Sequence, residues 1–407
     1  MSLGPPPADP ARLVTRGFVA LAVATLAFFI AAGIVLPVAP TFAKEALGAD
    51  ETGVGIAIAS FSIASLILRP LVGWSSDRFG RRPLLLGGAL LTVAALGLHL
   101  VATDLRIFIA ARALLGAGEG FFFVASIAAG ADLAPEDRRG EALSFLSLSL
   151  YLGIAIGPPI GEALLTVAPG SYDAVWLAAV AVAVGAVGLS LLVPESAPAV
   201  LARAAATDKT AHVRGPLIHP AGIFPGFIIL LGLWGMAGFF TFLPLHAREL
   251  GMGGAGMPFV IYALVVIVLR LIGAKWPDRF GAARVSGAAL VVSALGLATI
   301  GLLPSPEGLI AGTFVFAVGV AFIMPALLTL AVSRVPPAER GTVSGTVTVF
   351  LDISFGVAPV ALGLVANRAG YEPTFLISAV LAAAGAGLLF LRRRSLEQTS
   401  TAAETAR

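Results

Sequence analysis

Cysteine is absent from the 407-residue chain, and charged residues make up only 12% of it. The absence of cysteine excludes disulfides and thiolate metal sites. The shortage of charge excludes an ordinary soluble domain, which carries about 25% charged residues. There is also no nucleophile–base pair and no phosphate-binding loop, so we expect no enzyme activity, no cofactor and no metal site. The few histidines lack the spacing of metal ligands: His99, His212, His219 and His246.

Long apolar segments account for most of the chain, which is 58% hydrophobic. A helix that crosses a bilayer needs about 20 apolar residues. The first such run, from Gly17, is too long for the apolar core of a secretion signal, so we interpret it as a retained span. We predict twelve spans: 17–40, 52–73, 83–102, 105–130, 140–166, 172–193, 223–245, 255–275, 283–303, 306–331, 341–366 and 371–391.

The distribution of lysine and arginine predicts the orientation in the membrane. If the N-terminus is cytoplasmic, the opposite face holds only four of these residues: Lys44, Arg106, Arg248 and Arg368. The other basic residues outside the predicted spans then face the cytoplasm. We therefore expect a multi-pass protein of a bacterial cytoplasmic (inner) membrane with both termini in the cytoplasm. Because the basic residues follow topology, we expect no nucleic-acid partner.

The chain repeats itself at an offset of 201 residues. The segment Asp77-Arg78-Phe79-Gly80 recurs from Asp278, and Arg69 matches Arg270. Further matches at the same offset are Gly118 with Gly319, Arg139 with Arg340 and Pro158 with Pro359. Six spans in each half make the repeats parallel, as in carriers built around a central cavity. We predict an all-α membrane protein with six-helix bundles at 1–193 and 223–407, joined by a cytoplasmic connector at 194–222.

The loop after the second predicted span reads GWSSDRFGRRP, from Gly73 to Pro83. It resembles the signature loop of the major facilitator superfamily, Gly-x-x-x-Asp-Arg-x-Gly-Arg-Arg, and the resemblance extends over residues 17–391. It implies a loop that locks the cytoplasmic side, with Asp77 against the eleventh span and Arg78 or Arg81 paired with Asp132. The residues of this predicted lock are Gly73, Asp77, Arg78, Gly80, Arg81, Arg82 and Asp132.

Two further motifs resemble those of the same superfamily. The fourth span carries Arg112 followed by Gly116 and Gly118, similar to Arg-x-x-Gln-Gly-x-Gly with leucine in place of the glutamine. The fifth span resembles a motif of the drug–proton antiporter branch, with Glu162 replacing its last glycine. Small residues allow helices to approach closely, so we expect this motif at the contact between halves: Gly153, Gly157, Pro158 and Gly161.

Four ionisable residues lie well inside predicted spans: Arg112, Glu119, Glu162 and Asp352. Such residues are costly in a bilayer and usually functional. An acid that binds a proton in one conformation and releases it in another would couple transport to protons. We expect Glu119 to do so first, with gating as the alternative role for Glu162 and Asp352. Arg112 and Glu162 lie at depths that would let them pair if their helices face each other.

Aromatic side chains on the first, fourth, seventh and tenth spans suggest an apolar ligand. Those selected as cavity residues are Phe28, Phe122, Phe123, Trp234, Phe240 and Phe316. We therefore expect a proton-coupled exporter of a hydrophobic or amphipathic small molecule that works as a monomer. The alternative is a symporter or facilitated carrier of a polar metabolite such as a sugar or organic acid, which a polar stripe with Ser147 and Tyr151 on the fifth span would serve.

Overall fold

The computed structural model describes residues 13–135, 138–167, 170–196, 218–333, 335–336 and 339–405, without the side chains of several helical positions. In these ranges the chain forms helices and no strand, and twelve helices are long and apolar enough to cross a membrane. They are α1 (Arg16–Thr41), α2 (Glu51–Phe79), α3 (Arg81–Leu100), α4 (Leu105–Leu133), α5 (Arg139–Val167), α6 (Tyr172–Leu191), α7 (Pro220–Glu249), α8 (Gly256–Gly273), α9 (Ala282–Leu302), α10 (Pro306–Val332), α11 (Arg340–Ala369) and α12 (Glu372–Thr405). The predicted fold class is confirmed.

Successive helices run in opposite directions across the bundle. We call the side at which α1 begins the N-terminal side, and the opposite side the far side. On the far side, Asp50 and Asp104 cap α2 and α4 by accepting hydrogen bonds from backbone N–H groups of the first turn. Ser305 does the same for α10. These caps satisfy helix-end donors that a bilayer surface would otherwise leave without a partner.

Several helices run beyond the predicted spans, and two of them do so by six residues or more. The second span was expected to end at residue 73, whereas α2 continues to Phe79 and stops at Gly80, whose φ is 96°. The polar residues after 73 end the apolar run, but they do not prevent helical hydrogen bonding outside the bilayer. A left-handed φ favours glycine, so Gly80 marks the helix end. The twelfth helix likewise continues past 391 to Thr405.

The 201-residue repeat is visible in the helix bounds. Helices α3, α4 and α5 begin at residues 81, 105 and 139, and α9, α10 and α11 begin at 282, 306 and 340. Gly281, the counterpart of Gly80, also has a positive φ, of 90°. The two six-helix halves thus repeat each other in the order and placement of their elements. Most of the predicted connector, residues 197–217, lies outside the described residues.

Each half packs its own helices, and the halves meet chiefly at two seams, with a smaller contact between α1 and α7. Within the first half α1 packs against α5 and α6, and α4 packs against α2 and α3. Between the halves, α2 packs against α11 and α5 against α8. We call these contacts the α2–α11 seam and the α5–α8 seam. The matching positions of the two seams are related by the repeat.

The glycine motif of α5 does not lie where the sequence analysis expected it. A Cβ added at Gly153 would lie 2.6 Å from Phe29 of α1, and one at Gly157 would lie 2.5 Å from the backbone of Gly33. Gly161 likewise faces Ile34, and the ring of Pro158 also approaches Gly33. The motif therefore serves the α1–α5 packing inside the first half, and its assignment to the contact between halves was wrong.

This packing predicts a large effect of bulk at Gly157. We expect Gly157→Leu to destabilise the protein by about 3 kcal/mol or to prevent its folding, because backbone atoms of α1 cannot yield as a side chain would. Thermal unfolding in detergent would measure the loss. The matched control is Gly185→Leu in α6, where an added Cβ meets no atom within 4 Å. Equal melting of both variants would contradict this account of the motif.

A candidate coupling site between the two halves

An arginine absent from the predicted site residues connects the two halves. Nη2 of Arg69, on α2, lies 2.6 Å from Oδ2 of Asp352 on α11. Nη1 of the same side chain donates a hydrogen bond of 3.0 Å to Oγ1 of Thr348, one turn away on α11. Arg69 is 31% exposed and Asp352 13%. The α2–α11 seam therefore contains a partly buried ion pair whose two members belong to different halves.

Glu119 of α4 extends this pair into a three-charge cluster. Its Oε2 accepts a 3.0 Å hydrogen bond from Oγ of Ser65 on α2. Both Arg69 and Asp352 lie close enough to interact with it electrostatically. At 1.5 Å per residue, Glu119 lies about 21 Å from the far end of α4, and Asp352 about 18 Å from the opposite end of α11. Two acids thus share one arginine near mid-depth. One carboxylate can therefore bind a proton while the other still balances the charge of the arginine. We call Arg69, Glu119, Asp352, Ser65 and Thr348 the coupling cluster.

Glu119 and Asp352 are among the residues predicted from the sequence, whereas Arg69 is not. The available signal was its position inside the second span, together with its match to Arg270 in the repeat. Arg69 belongs to the repeated pattern, but it is also a charge inside a predicted span, and such charges are usually functional. The structure brings Glu119 and Asp352 together through it.

Arg112 and Glu162 do not pair with each other. Arg112 is 3% exposed and its guanidinium Cζ lies 5.2 Å from the ring centroid of Phe61 on α2. Glu162 is 2% exposed and lies against Gly254 and Ala255, just before α8. Their similar depths do not bring them together, because α4 turns Arg112 toward α2 while α5 turns Glu162 toward the other half. Glu162 thus contributes to the far end of the α5–α8 seam.

Most of the predicted cavity aromatics are packed among other rings. Phe28 stacks on Phe122 at 4.0 Å, and both are fully buried. Phe240 stacks on Phe259, and Phe316 lies 4.9 Å from Phe239. Four of the six side chains are therefore core residues, and the expectation of a shared aromatic wall was wrong for them. The remaining two, Phe123 and Trp234, are partly exposed.

The loop between α2 and α3 is held by acids of the first half. Nε of Arg81 lies 3.1 Å from Oδ2 of Asp132 at the end of α4, so Arg81 makes the contact that the sequence left open between two arginines. The carboxylate of Glu195 accepts hydrogen bonds from the backbone N–H groups of Arg81 and Arg82. An acid at a helix N-terminus is favourable. The sequence analysis missed Glu195, which follows α6.

The other predicted lock residues can be placed only in part. Gly80 closes against Glu195, because an added Cβ would lie 2.6 Å from its carboxylate. Arg82 donates to the carbonyl oxygen of Leu191. The side chains of Asp77 and Arg78 lie outside the described part of the structure. The surroundings of Gly73 are not described either. The contact of Asp77 with α11 stays a prediction.

On the far side, polar contacts join the halves at the helix ends. Glu45, in the π-helical turn Phe42–Ala46 that extends α1, lies 2.7 Å from Nη1 of Arg248 on α7. Asn367 of α11 donates to Asp50, the cap of α2, over 3.0 Å. Tyr371, just before α12, donates to Glu51. We call these three contacts the far-side rim. They hold the halves together at this end of the molecule.

One group of metal-type ligands occurs in the described residues, although the sequence analysis expected none. Ligand atoms of His246, Glu249 and Glu372 lie within 4.8 Å of one another, on the far side. Glu249 is 55% exposed and Nδ1 of His246 lies 3.5 Å from it. At this exposure the carboxylate of Glu249 is well solvated without an ion.

Comparison with known proteins places the fold in a family. The Major Facilitator Superfamily profile matches residues 21–276 and 253–407. An uncharacterized MFS-type transporter of Salmonella typhimurium is 30% identical over 376 residues, which cover 90% of this chain and 94% of that protein. Another MFS-type transporter, from Burkholderia mallei, is 30% identical over 392 residues, 93% of each chain.

Solved structures agree with this placement at the level of the fold. A bacterial homologue of the human lysosomal transporter Spinster, in an inward-facing, unoccupied conformation, superposes with a TM-score of 0.75 at 15% identity, covering 94% of this chain and 97% of that chain. Relatives and family alike are transporters and not enzymes. The chain therefore belongs to the Major Facilitator Superfamily and is a multi-pass membrane transporter.

Proposed function

We propose that the chain is a proton-coupled secondary transporter that exports a hydrophobic or amphipathic small molecule by alternating access. The observation that supports this most directly is the coupling cluster, where two carboxylates on different halves share one arginine. A proton added there changes the charge that holds the α2–α11 seam together. Loss or gain of one proton is therefore linked to the contact between halves, which is what a coupled carrier requires.

The residues of the cluster suggest how the coupling works. Protonation of Asp352 removes the negative charge that holds Arg69 to α11, and Arg69 is then free to turn toward Glu119 within its own half. The seam loses its ion pair and the halves can rotate apart. Deprotonation restores the pair and the first arrangement. If the step is electrogenic, each charge moved across the membrane contributes about 2.3 kcal/mol per 100 mV.

The distribution of lysine and arginine sets the orientation of the chain in the membrane. We place the N-terminal side in the cytoplasm of a bacterial inner membrane, because it carries nearly all of the basic residues outside the spans. The far-side rim then seals the outer end of the carrier, and Arg81 with Asp132 stabilises the cytoplasmic loop. Six helices on each side of the seams make a single chain sufficient for the cycle, so we propose a monomer.

Symport or facilitated exchange of a polar metabolite is the second candidate. The packing of four predicted cavity aromatics into the core favours it, because fewer rings are then left to line an apolar site. Arg112, which makes no ion pair within the described residues, would also suit a polar ligand. The two candidates share the coupling cluster and differ in the substrate and in the direction of flux.

The cluster predicts the behaviour of neutralised acids. We expect Asp352→Asn and Glu119→Gln each to reduce proton-coupled transport about tenfold, because either change removes a carboxylate that shares Arg69. Everted vesicles energised by respiration would report this through a pH-sensitive dye, after addition of lipophilic cations, antibiotics, sugars or organic acids. A response to lipophilic compounds alone supports export, and a response to polar metabolites alone supports the second candidate.

The matched control for these variants is Glu141→Gln. Glu141 also lies on a spanning helix, but it is 45% exposed and pairs locally with Arg138. It should keep wild-type transport. Monodisperse elution of each purified variant would separate loss of coupling from loss of fold. Full coupling in both acid variants would refute the proposed role of the cluster.

Because the three contacts of the far-side rim join the halves, we expect transport to require that they open. The absence of native cysteine allows paired cysteines to be placed without background. We expect Asp50→Cys combined with Asn367→Cys to be joined by a short bifunctional thiosulfonate reagent and transport to stop. A reducing agent should restore it. Each single cysteine variant, treated in the same way, is the control, and transport by the cross-linked protein would argue against movement at the rim.

A further inference from the structure

The α5–α8 seam repeats the geometry of the coupling cluster with different chemistry. Arg270 of α8 is the counterpart of Arg69 at the 201-residue offset, and Tyr151 of α5 is the counterpart of Asp352. The guanidinium Cζ of Arg270 lies 3.6 Å from the ring centroid of Tyr151. On both seams, an arginine at the repeated position thus contacts the repeated position of the other half. On this seam it meets an aromatic ring where the other seam has a carboxylate.

This difference leaves Arg270 without a carboxylate at the position that Asp352 occupies in the other seam. Arginine stays protonated in proteins. Within the described part of the chain, Arg270 makes no ion pair, and its Nε is buried without a hydrogen-bond partner. Tyr262 lies about 12 Å earlier on the same helix, at 1.5 Å per residue, and interacts with Arg270 electrostatically. A ring face stabilises a guanidinium less than a carboxylate does. The part of the α5–α8 seam around Arg270 therefore carries a positive charge without a carboxylate beside it, because Glu162 lies at the far end of the seam.

We propose that Arg270, Tyr151 and Tyr262 form a binding site for an oxyanion, the carboxylate or phosphate group of an amphipathic solute or of a lipid headgroup. A guanidinium binds such groups through two parallel hydrogen bonds. Tyrosine supplies a hydroxyl donor together with an apolar ring for the neighbouring part of the ligand. Arg270 and Tyr151 are both partly exposed, so a ligand can reach them, whereas Tyr262 is buried at 5% exposure.

The competing explanation is that Arg270 extends to the membrane surface. It lies three residues before the end of α8 at Gly273, and arginines near helix ends often place the charged group in the interface. An arginine that does so has no need of a ring from the other half. In contrast, the structure holds the guanidinium against Tyr151 and buries its Nε. The two explanations differ in whether a carboxylate introduced at residue 151 weakens anion binding by Arg270.

The inference rests on the proposed function, since it names the substrate class as an amphipathic anion. It does not depend on proton coupling, because binding is measured without a proton gradient. The experiment uses purified full-length protein in a neutral detergent and isothermal titration with benzoate. Benzamide, which has the same shape without the charge, is the matched ligand. Native mass spectrometry in nanodiscs of phosphatidylglycerol or phosphatidylcholine tests the lipid headgroup.

We expect benzoate or phosphatidylglycerol to bind in preference to its uncharged or zwitterionic counterpart. Arg270→Gln should weaken this binding about tenfold to a hundredfold, as expected for loss of a charge-assisted hydrogen bond. Tyr151→Asp should weaken it similarly, because it recreates the ion pair of the other seam and neutralises Arg270 internally. Tyr151→Phe should cost only a few-fold. Arg279→Gln, an exposed arginine farther along on the same side, should bind as the wild type does.

The possible outcomes separate the proposals. Loss of benzoate binding in Arg270→Gln and Tyr151→Asp assigns the site to a solute, and loss of phosphatidylglycerol alone assigns it to a lipid. If neither ligand responds to either variant, Arg270 is solvated at the interface and the inference is overturned. If the wild type binds the anion at Arg270 but Asp352→Asn transports with normal proton coupling, the coupling proposal is refuted. The anion site is unaffected by that result. Unchanged melting of both variants shows that they fold.

Discussion

The cost of a charged side chain in a bilayer controls the arrangement of this transporter. An arginine in the middle of a spanning helix costs roughly 2.5–3.5 kcal/mol or more unless it finds a partner. Arg69 finds Asp352 and Thr348 on α11, in the other half of the molecule. The two halves share buried apolar residues in one core cluster, and the ion pair of the α2–α11 seam is a charged contact within this otherwise apolar association. A carboxylate that can be neutralised is therefore a sensitive place to control that association.

The fold was predictable because the bilayer imposes a length on every helix and the repeat imposes a spacing. Span starts predicted at residues 105 and 306 agree with α4 and α10, and the offset of 201 reappears in their bounds. The errors lie where these two constraints end. An apolar run stops at the membrane boundary, but helical hydrogen bonding continues into water until Gly80 changes the backbone direction. The π-helical turn that carries Glu45 left no sign in the hydropathy pattern for the same reason.

The site was predictable only as a set of separate residues. Depth along the membrane normal identified Glu119 and Asp352 as buried acids, and it also suggested a pair between Arg112 and Glu162 that does not form. Depth is only one coordinate. Two residues can pair only if their helices are adjacent and both side chains point toward the contact between them. The glycines of α5 show the same limit. Small residues state that some helix comes close, but only the packing shows that this helix is α1.

The repeat makes the asymmetry of the seams informative. The α2–α11 seam has Asp352, Thr348 and nearby Glu119, and the matching positions are Tyr151, Ser147 and Val320. Two acids lie beside the arginine of the α2–α11 seam, whereas the matching positions of the α5–α8 seam hold no acid. The acid of that second seam, Glu162, lies at its far end. Protonation of Asp352 therefore acts on the first arginine, while Arg270 stays charged at every pH of interest. Under the proposed mechanism the first seam responds to protons and the second is left to respond to an anion, so that two ligands act on two separate contacts of one moving interface.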